Sequence, residues 1–139
     1  MRAVLVDIDV ILDVLAKREP FVGPAARLWA MVERKVVRGY LASHSITTLY
    51  YLIRKSKGKR ASKGYVRDLL AVFEIAPVNR STLLLALEAD IPDFEDAVQY
   101  AAARQVNADF IITRNIKDYA KADIPVAGPE IFLATSELV

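Results

Sequence analysis

Residues 1–16 read MRAVLVDIDVILDVLA, and this stretch decides the fold class. Ala3–Val6 is a short, continuous apolar run, the pattern of a strand buried on both faces. Asp7 ends it. Ile8, Ile11, Leu12 and Leu15 then recur at helical spacing as far as Ala16. The same alternation continues along the chain. Pro20 and Pro24 interrupt it, and a helix is predicted over Ala25–Val37, with Leu28, Val32 and Val36 on one face and Gly39 ending it. Tyr40–Ala42 is predicted as a strand, Ser43–Ile53 as a helix, Lys55–Lys63 as a basic turn around Gly58, and Tyr65–Phe73 as a helix. A third strand is expected over Ile75–Val78 with Pro77 interrupting it, and a Leu-rich helix over Ser81–Ala89. Pro92–Asp93 opens a helix to about Gln105, Phe110–Thr113 is a fourth strand, and Asn115–Tyr119 is one helical turn. Pro125–Ala127 is a short fifth strand before a last helix near Pro129–Leu138.

Apolar strands alternating with helices specify an α/β fold: a three-layer α/β/α sandwich around a parallel sheet of four to five strands. The length of 139 residues suits a single domain over 1–139, with no repeat, low-complexity tract or linker. At 54% hydrophobic residues, the chain has material for a sizeable core. It has no cysteine and one histidine, His44. Disulfide scaffolds, thiol nucleophiles, iron–sulfur sites and multi-histidine zinc sites are excluded. No stretch approaches the ~20 apolar residues of a membrane span. Asp7 and Asp9 interrupt the N-terminal apolar run, so it is not read as a signal peptide. The expected location is the cytoplasm, with no membrane partner.

Acid–base or metal chemistry must therefore rest on carboxylates. In open α/β sheets, ligands bind outside the carboxyl ends of the strands, where the strand order reverses. Asp7 follows the first strand, Asp9 stands at a helix entrance, and Asp118 follows the fourth strand. Asp93 and Asp96 lie one turn apart on one helical face. Taken singly, each suits capping: Asp93 as an N-cap with Asp96 at N3, and Asn115 with Asp118 at the same spacing. Glu95 is expected to face solvent, Asp109 to cap a turn, and Asp90 and Asp123 to lie in loops. Taken together, the acids converge if the fourth strand lies beside the first. Clustered acids repel one another, and a hard divalent cation such as Mg²⁺ or Mn²⁺ relieves that repulsion through oxygen ligands. Such an ion serves phosphodiester chemistry.

Four segments, VLVDIDVILDVLAKREPF (4–21), SHSITTLYYLIRK (43–55), DFEDAVQYAAA (93–103) and DFIITRNIKDY (109–119), resemble the PIN domain in order and spacing. The likeness covers essentially the whole chain and is nearest to the bacterial and archaeal branch that includes VapC-type toxins. The resemblance implies a metal-dependent ribonuclease with a parallel sheet between helices. It implies that Asp7 is the first metal-binding acid, that Asp96 is the acid opening the helix before the last motif, and that Thr113 is a hydroxyl near the metal pocket. Asp93 would add a ligand one turn before Asp96. The chain departs from the family pattern in three places. Ile8 and Asp9 follow Asp7, where the family has Thr or Ser and then Asn. The middle-helix Glu has no counterpart, Thr47 or Thr48 standing about there. Asn115 replaces the Asp that usually follows Thr-Arg, with Asp118 three residues later. Asp9 and Asp118 are the candidates to compensate. The expected enzyme is a Mg²⁺- or Mn²⁺-dependent ribonuclease, catalytic through Asp7, Asp96, Asp93 and Asp118. Its metal ligands would be Asp7, Asp96, Asp9 and Asp93. Its expected associations are with RNA, with an antitoxin protein and with a second copy as a homodimer. VLVDIDVIL (4–12) also resembles the DxD opening of haloacid-dehalogenase-type phosphatases, although no late Gly-Asp acidic motif follows. A non-catalytic PIN domain that binds RNA or protein is the third reading.

Charge is unevenly placed. The 19 Lys and Arg against 17 Asp and Glu give +2, but Arg54, Lys55, Lys57, Lys59, Arg60 and Lys63 fall within one short segment with no acid, and without them 13 basic residues face 17 acidic ones, a net −4. The segment reads either as a solvated turn or as a contact for RNA phosphates, with Lys55, Lys57, Lys59 and Arg60 as candidates. Tyr50, Tyr51 and Tyr65 flank it, as core residues or as stacking surfaces for bases. Arg114 and Asn115 are candidates for substrate contact beside Thr113. His44, at a strand–helix junction, reads as structural before it reads as a substrate contact. Trp29 reads as helix packing or a dimer contact.

Overall fold

The N-terminal apolar run forms strand β1 (Ala3–Val6) in the computed structural model, which describes residues 1–137. Its side chains alternate between two cores, as strand geometry requires. Val4 and Val6 face one side, Leu5 the other, and all three are fully buried. The other strands are β2 (Arg38–Ala42), β3 (Glu74–Ala76), β4 (Phe110–Ile112) and β5 (Val126–Ala127). All neighbouring strands pair in parallel, in the order β3-β2-β1-β4-β5. The order reverses between β1 and β4, where crossovers leave in opposite directions.

Helices α1 (Ile8–Leu15), α2 (Val22–Glu33), α3 (Ser43–Val72) and α6 (Pro129–Glu137) contribute Ile11, Leu28, Leu49, Leu69 and Phe132 to the core on one face. Helices α4 (Arg80–Glu88) and α5 (Phe94–Gln105) cover the other face, where Ala86, Ala97, Ala101, Ala102 and Ala103 allow α5 to approach the sheet closely. The three-layer α/β/α sandwich with a parallel sheet is therefore present. Each fully buried Leu or Ile of these cores contributes about 1.5–3 kcal/mol of transfer free energy. Among the described residues, no helix is long and apolar enough to cross a membrane.

Four local expectations are corrected. Helix α2 starts at Val22, because Pro24 in the first turn loses no intrahelical hydrogen bond. It ends at Glu33, and Lys35 takes a left-handed conformation (φ 62°), which turns Val36 outward, 57% exposed, rather than onto the buried face. Gly39 lies in β2 rather than at a helix end, and a Cβ there would come within 2.7 Å of Val32 Cγ1 and 2.9 Å of Phe73 Cδ1. The basic segment is not a turn: α3 is helical on both sides of a single non-helical residue, Gly58 (φ 85°, ψ 171°). The third strand ends at Ala76, before Pro77. The last helix reaches Glu137; Leu138 lies outside the described residues. Trp29 packs edge-on against Phe73, 5.3 Å between ring centroids, within the α1–α2 side of the core.

Candidate metal centre

Asp7 stands at the carboxyl end of β1, beside β4, where the strand order reverses. Its backbone N–H donates to Ile112 O (2.9 Å), continuing the ladder, and it then serves as N-cap of α1. Three donors hold its carboxylate. Ile8 N–H (2.7 Å) and Gln99 Nε2 (2.9 Å) donate to Oδ1, and the buried Thr113 hydroxyl donates to Oδ2 (2.9 Å). Thr113 also accepts from Asn115 N–H (3.0 Å), which fixes the loop after β4 around the same acid.

Helix α5 brings the second acid. Asp93 is its N-cap and accepts from Asp96 N–H at 3.0 Å, so its capping role is real. Asp96 accepts from the buried Tyr119 hydroxyl at 3.3 Å; Tyr119 ends the 3₁₀ turn Ile116–Tyr119, which also carries Asp118. Burial first, then the charges of Asp93, Asp7 and Asp118, push the Asp96 carboxyl up to about 6. Tyr119 is itself pushed far up, by burial first and then by Asp7 and Asp96.

Asp9, in the first turn of α1, is also pushed up to about 6, by burial and then by Asp7. Its Oδ2 accepts from Arg114 N–H (3.2 Å) and from the Asn115 side chain (3.4 Å), while its Oδ1 is buried without a partner. Asn115 therefore ties the loop to Asp9 instead of capping the 3₁₀ turn with its side chain. Arg114 is committed elsewhere. Its Nε and Nη2 bond Asp13 Oδ2 and Oδ1 at 2.8 and 3.2 Å, and its guanidinium covers the Phe21 ring at 4.0 Å. Sequence reasoning missed Asp13, which is fully buried, and Gln99, which is 2% exposed. The available signal was spacing: Asp13 follows Asp9 by four residues, and Gln99 follows Asp96 by three, each on the same helical face.

Lys55, Lys57, Lys59 and Arg60 are all exposed along α3. Lys57 reaches across the Gly58 break to 5.8 Å from the Tyr65 ring centroid. Thr47 and Thr48, at the place of the missing Glu, turn their hydroxyls back onto His44 O (3.0 and 3.4 Å). The His44 ring nitrogens are enclosed and unpartnered, and burial lowers its pKa against the opposing charges of Glu95 and Asp7. Glu95 is exposed, as expected. Asp109 accepts from Ala3 N–H at 2.8 Å.

Among the described residues, no group of three or more acids or histidines is arranged to hold a metal ion. The donor set fits a different kind of site. Mg²⁺ and Mn²⁺ keep several waters and bind through one or two carboxylates. Asp7 and Asp96 supply these, and the carboxyls of Asp9 and Asp96, pushed up first by burial and then by neighbouring acids, are groups whose charge such a cation would stabilise.

The family model described as "PIN domain" matches residues 3–117. The chain belongs to the PIN domain family. This PIN domain is 29% identical over 96 residues to Ribonuclease VapC1 of Aquifex aeolicus (strain VF5), covering 66% of the chain and 65% of that relative's own length. Among solved structures, it resembles VapC20 of Mycobacterium tuberculosis, described as a Sarcin-Ricin loop cleaving toxin (TM-score 0.68, 20% identity, 87% of this chain and 95% of that one). It also resembles DNA-bound VapBC from Salmonella typhimurium (TM-score 0.70, 13% identity, 93% and 99%). Both likenesses are of fold. The β1–β4 reversal point that holds Asp7 thus belongs to the part of the PIN domain matched by the family.

Proposed function

We propose that this PIN domain is a divalent-metal-dependent endoribonuclease, acting as a VapC-type toxin. The observation that carries the reading is the Asp7 carboxylate, fixed by three donors at the strand-order reversal with the raised Asp96 carboxyl beside it. A bound Mg²⁺ or Mn²⁺ supplies charge neutralisation at the scissile phosphate and an activated water. Asp7 and Asp96 would hold the ion. Asp93 and Asp118 add negative field around Asp96, and Asp93 also holds the first turn of α5 in place. Asp9 secures the Arg114–Asn115 loop. Lys55, Lys57, Lys59 and Arg60 are exposed and suited to the RNA backbone.

The likeness to ribonuclease VapC1 and to the VapC20 toxin supports RNA as substrate. The likeness to VapBC supports an antitoxin partner. A homodimer is part of the same proposal and is read out by light scattering. The deciding experiment is RNA cleavage by the purified protein with Mn²⁺ or Mg²⁺. Cleavage is expected to stop on chelation and in Asp7→Asn. Undiminished cleavage by that variant overturns the proposal. Absence of any Mn²⁺ binding heat would favour a non-catalytic domain, and phosphomonoester turnover would favour the phosphatase reading.

A further inference from the structure

Asp7 has four lone-pair positions on its carboxylate. Three are filled: two on Oδ1, by Ile8 N–H and Gln99 Nε2, and one on Oδ2, by Thr113. We propose that Gln99 is a positioning residue of the metal centre, fixing the Asp7 carboxylate so that its one free position, on Oδ2, is reserved for a divalent cation. The inference rests on the metal-dependent reading above and deepens it.

Packing alone does not account for Gln99. It is 2% exposed and lies in the run Ala97–Ala103 of α5, every residue of which is buried. A buried amide is costly unless its hydrogen bonds are made. Here only one end is satisfied: Nε2 donates to Asp7 at 2.9 Å, whereas Oε1 is enclosed with no partner. An apolar side chain would fill the same place without that cost. The amide is therefore oriented by Asp7, 92 residues away in the chain.

The chemical type also matters. Lys or Arg at this position would neutralise Asp7 and compete with a cation. Glu would add another charge to acids that already repel. Glutamine donates a hydrogen bond and adds no charge, so it orients the carboxylate without a competing cation. Helix α5 carries Asp96 three residues before Gln99, on the same face. One helix register thus sets one ligand and the orientation of the other. Thr113, the residue after β4, completes the arrangement.

The test is calorimetric titration of the purified protein with Mn²⁺ alone, alongside thermal melting without metal. Gln99→Met keeps the length and removes the donor. It is expected to weaken Mn²⁺ binding about 10–100-fold, the effect usual for partners that orient metal ligands, and to leave the metal-free melting temperature unchanged or higher. Asp7→Asn separates the two readings. If it binds Mn²⁺ like the wild type, the metal reading itself fails. If it loses binding while Gln99→Met binds as tightly as the wild type, the Gln99 proposal alone is overturned. A second measurement needs no change at position 99. In metal-free wild type, the Gln99 side-chain amide protons should exchange slowly by NMR, and this protection should vanish in Asp7→Ala. Unaltered protection in Asp7→Ala overturns the proposal even if Gln99→Met does not fold.

Discussion

At the residue scale, Asp9 and Asp96 make the protein pH-sensitive. Both carboxyls are pushed up to about 6 by burial first, with Asp7 next for Asp9 and Asp93 next for Asp96. In the unfolded chain they titrate near the ordinary aspartate value of about 3.9. Between these values the folded state holds protons that the unfolded state releases, so stability falls as pH rises. Their contribution is favourable below about 4 and is lost by about 7. The metal-free melting temperature should therefore decline across this window. Asp9→Asn/Asp96→Asn should flatten that decline, and an equally steep profile in the double variant would refute the assignment.

At the element scale, the helices differ in what their own residues disclose. The Asp93–Asp96 cap is local, and its spacing was enough to place the start of α5. The Ala25–Val37 prediction failed at both ends for different reasons: Pro24 was read as a break although it suits a first turn, and nothing local marks Lys35 as the left-handed exit. In α3 the sequence located the irregularity at Gly58 but overestimated its extent. The many charged residues between Arg54 and Lys63 are good helix formers and fill both flanks of a one-residue break. Gly58 adopts φ 85° and ψ 171°, a region essentially closed to other residues, and a Cβ there would meet no atom within 4 Å. Gly58→Ala is thus a test of strain without clash. It should cost about 1–3 kcal/mol, measured by denaturant unfolding. A loss well below that range would mean that the break straightens at little cost and is not fixed by packing on either side.

At the scale of the whole molecule, a strand order that reverses between β1 and β4 turns residues far apart in the chain into one site. Asp7 and Asp96 were legible because each sits at an element terminus that chain order alone identifies. Gln99 and Asp13 were not, because their partners lie 92 and 101 residues away and only the completed sheet brings them together. Arg114 shows the converse: its residue type suggested a phosphate contact, and the fold gave it to Asp13. Charge is divided on the same scale. The six cations of Arg54–Lys63 stand against a remainder of net −4, and Asp7 acts on both Asp9 and Asp96, with Asp93 and Asp118 adding to the field at Asp96. A polyanion approaching these acids meets repulsion, and the exposed cations of α3 are the basic segment that would offset it. Each phosphate contact with a single strand contributes about −0.7 to the slope of log K against log salt. Replacing Lys55, Lys57, Lys59 and Arg60 by Ser should reduce the steepness by up to about 3, while metal-free melting changes little because all four are exposed. Fluorescence anisotropy with an uncleavable RNA analogue in Mn²⁺, across a salt series, measures the slope directly. A slope equal to that of the wild type would mean that the cationic face of α3 is only solvated and that RNA is held elsewhere.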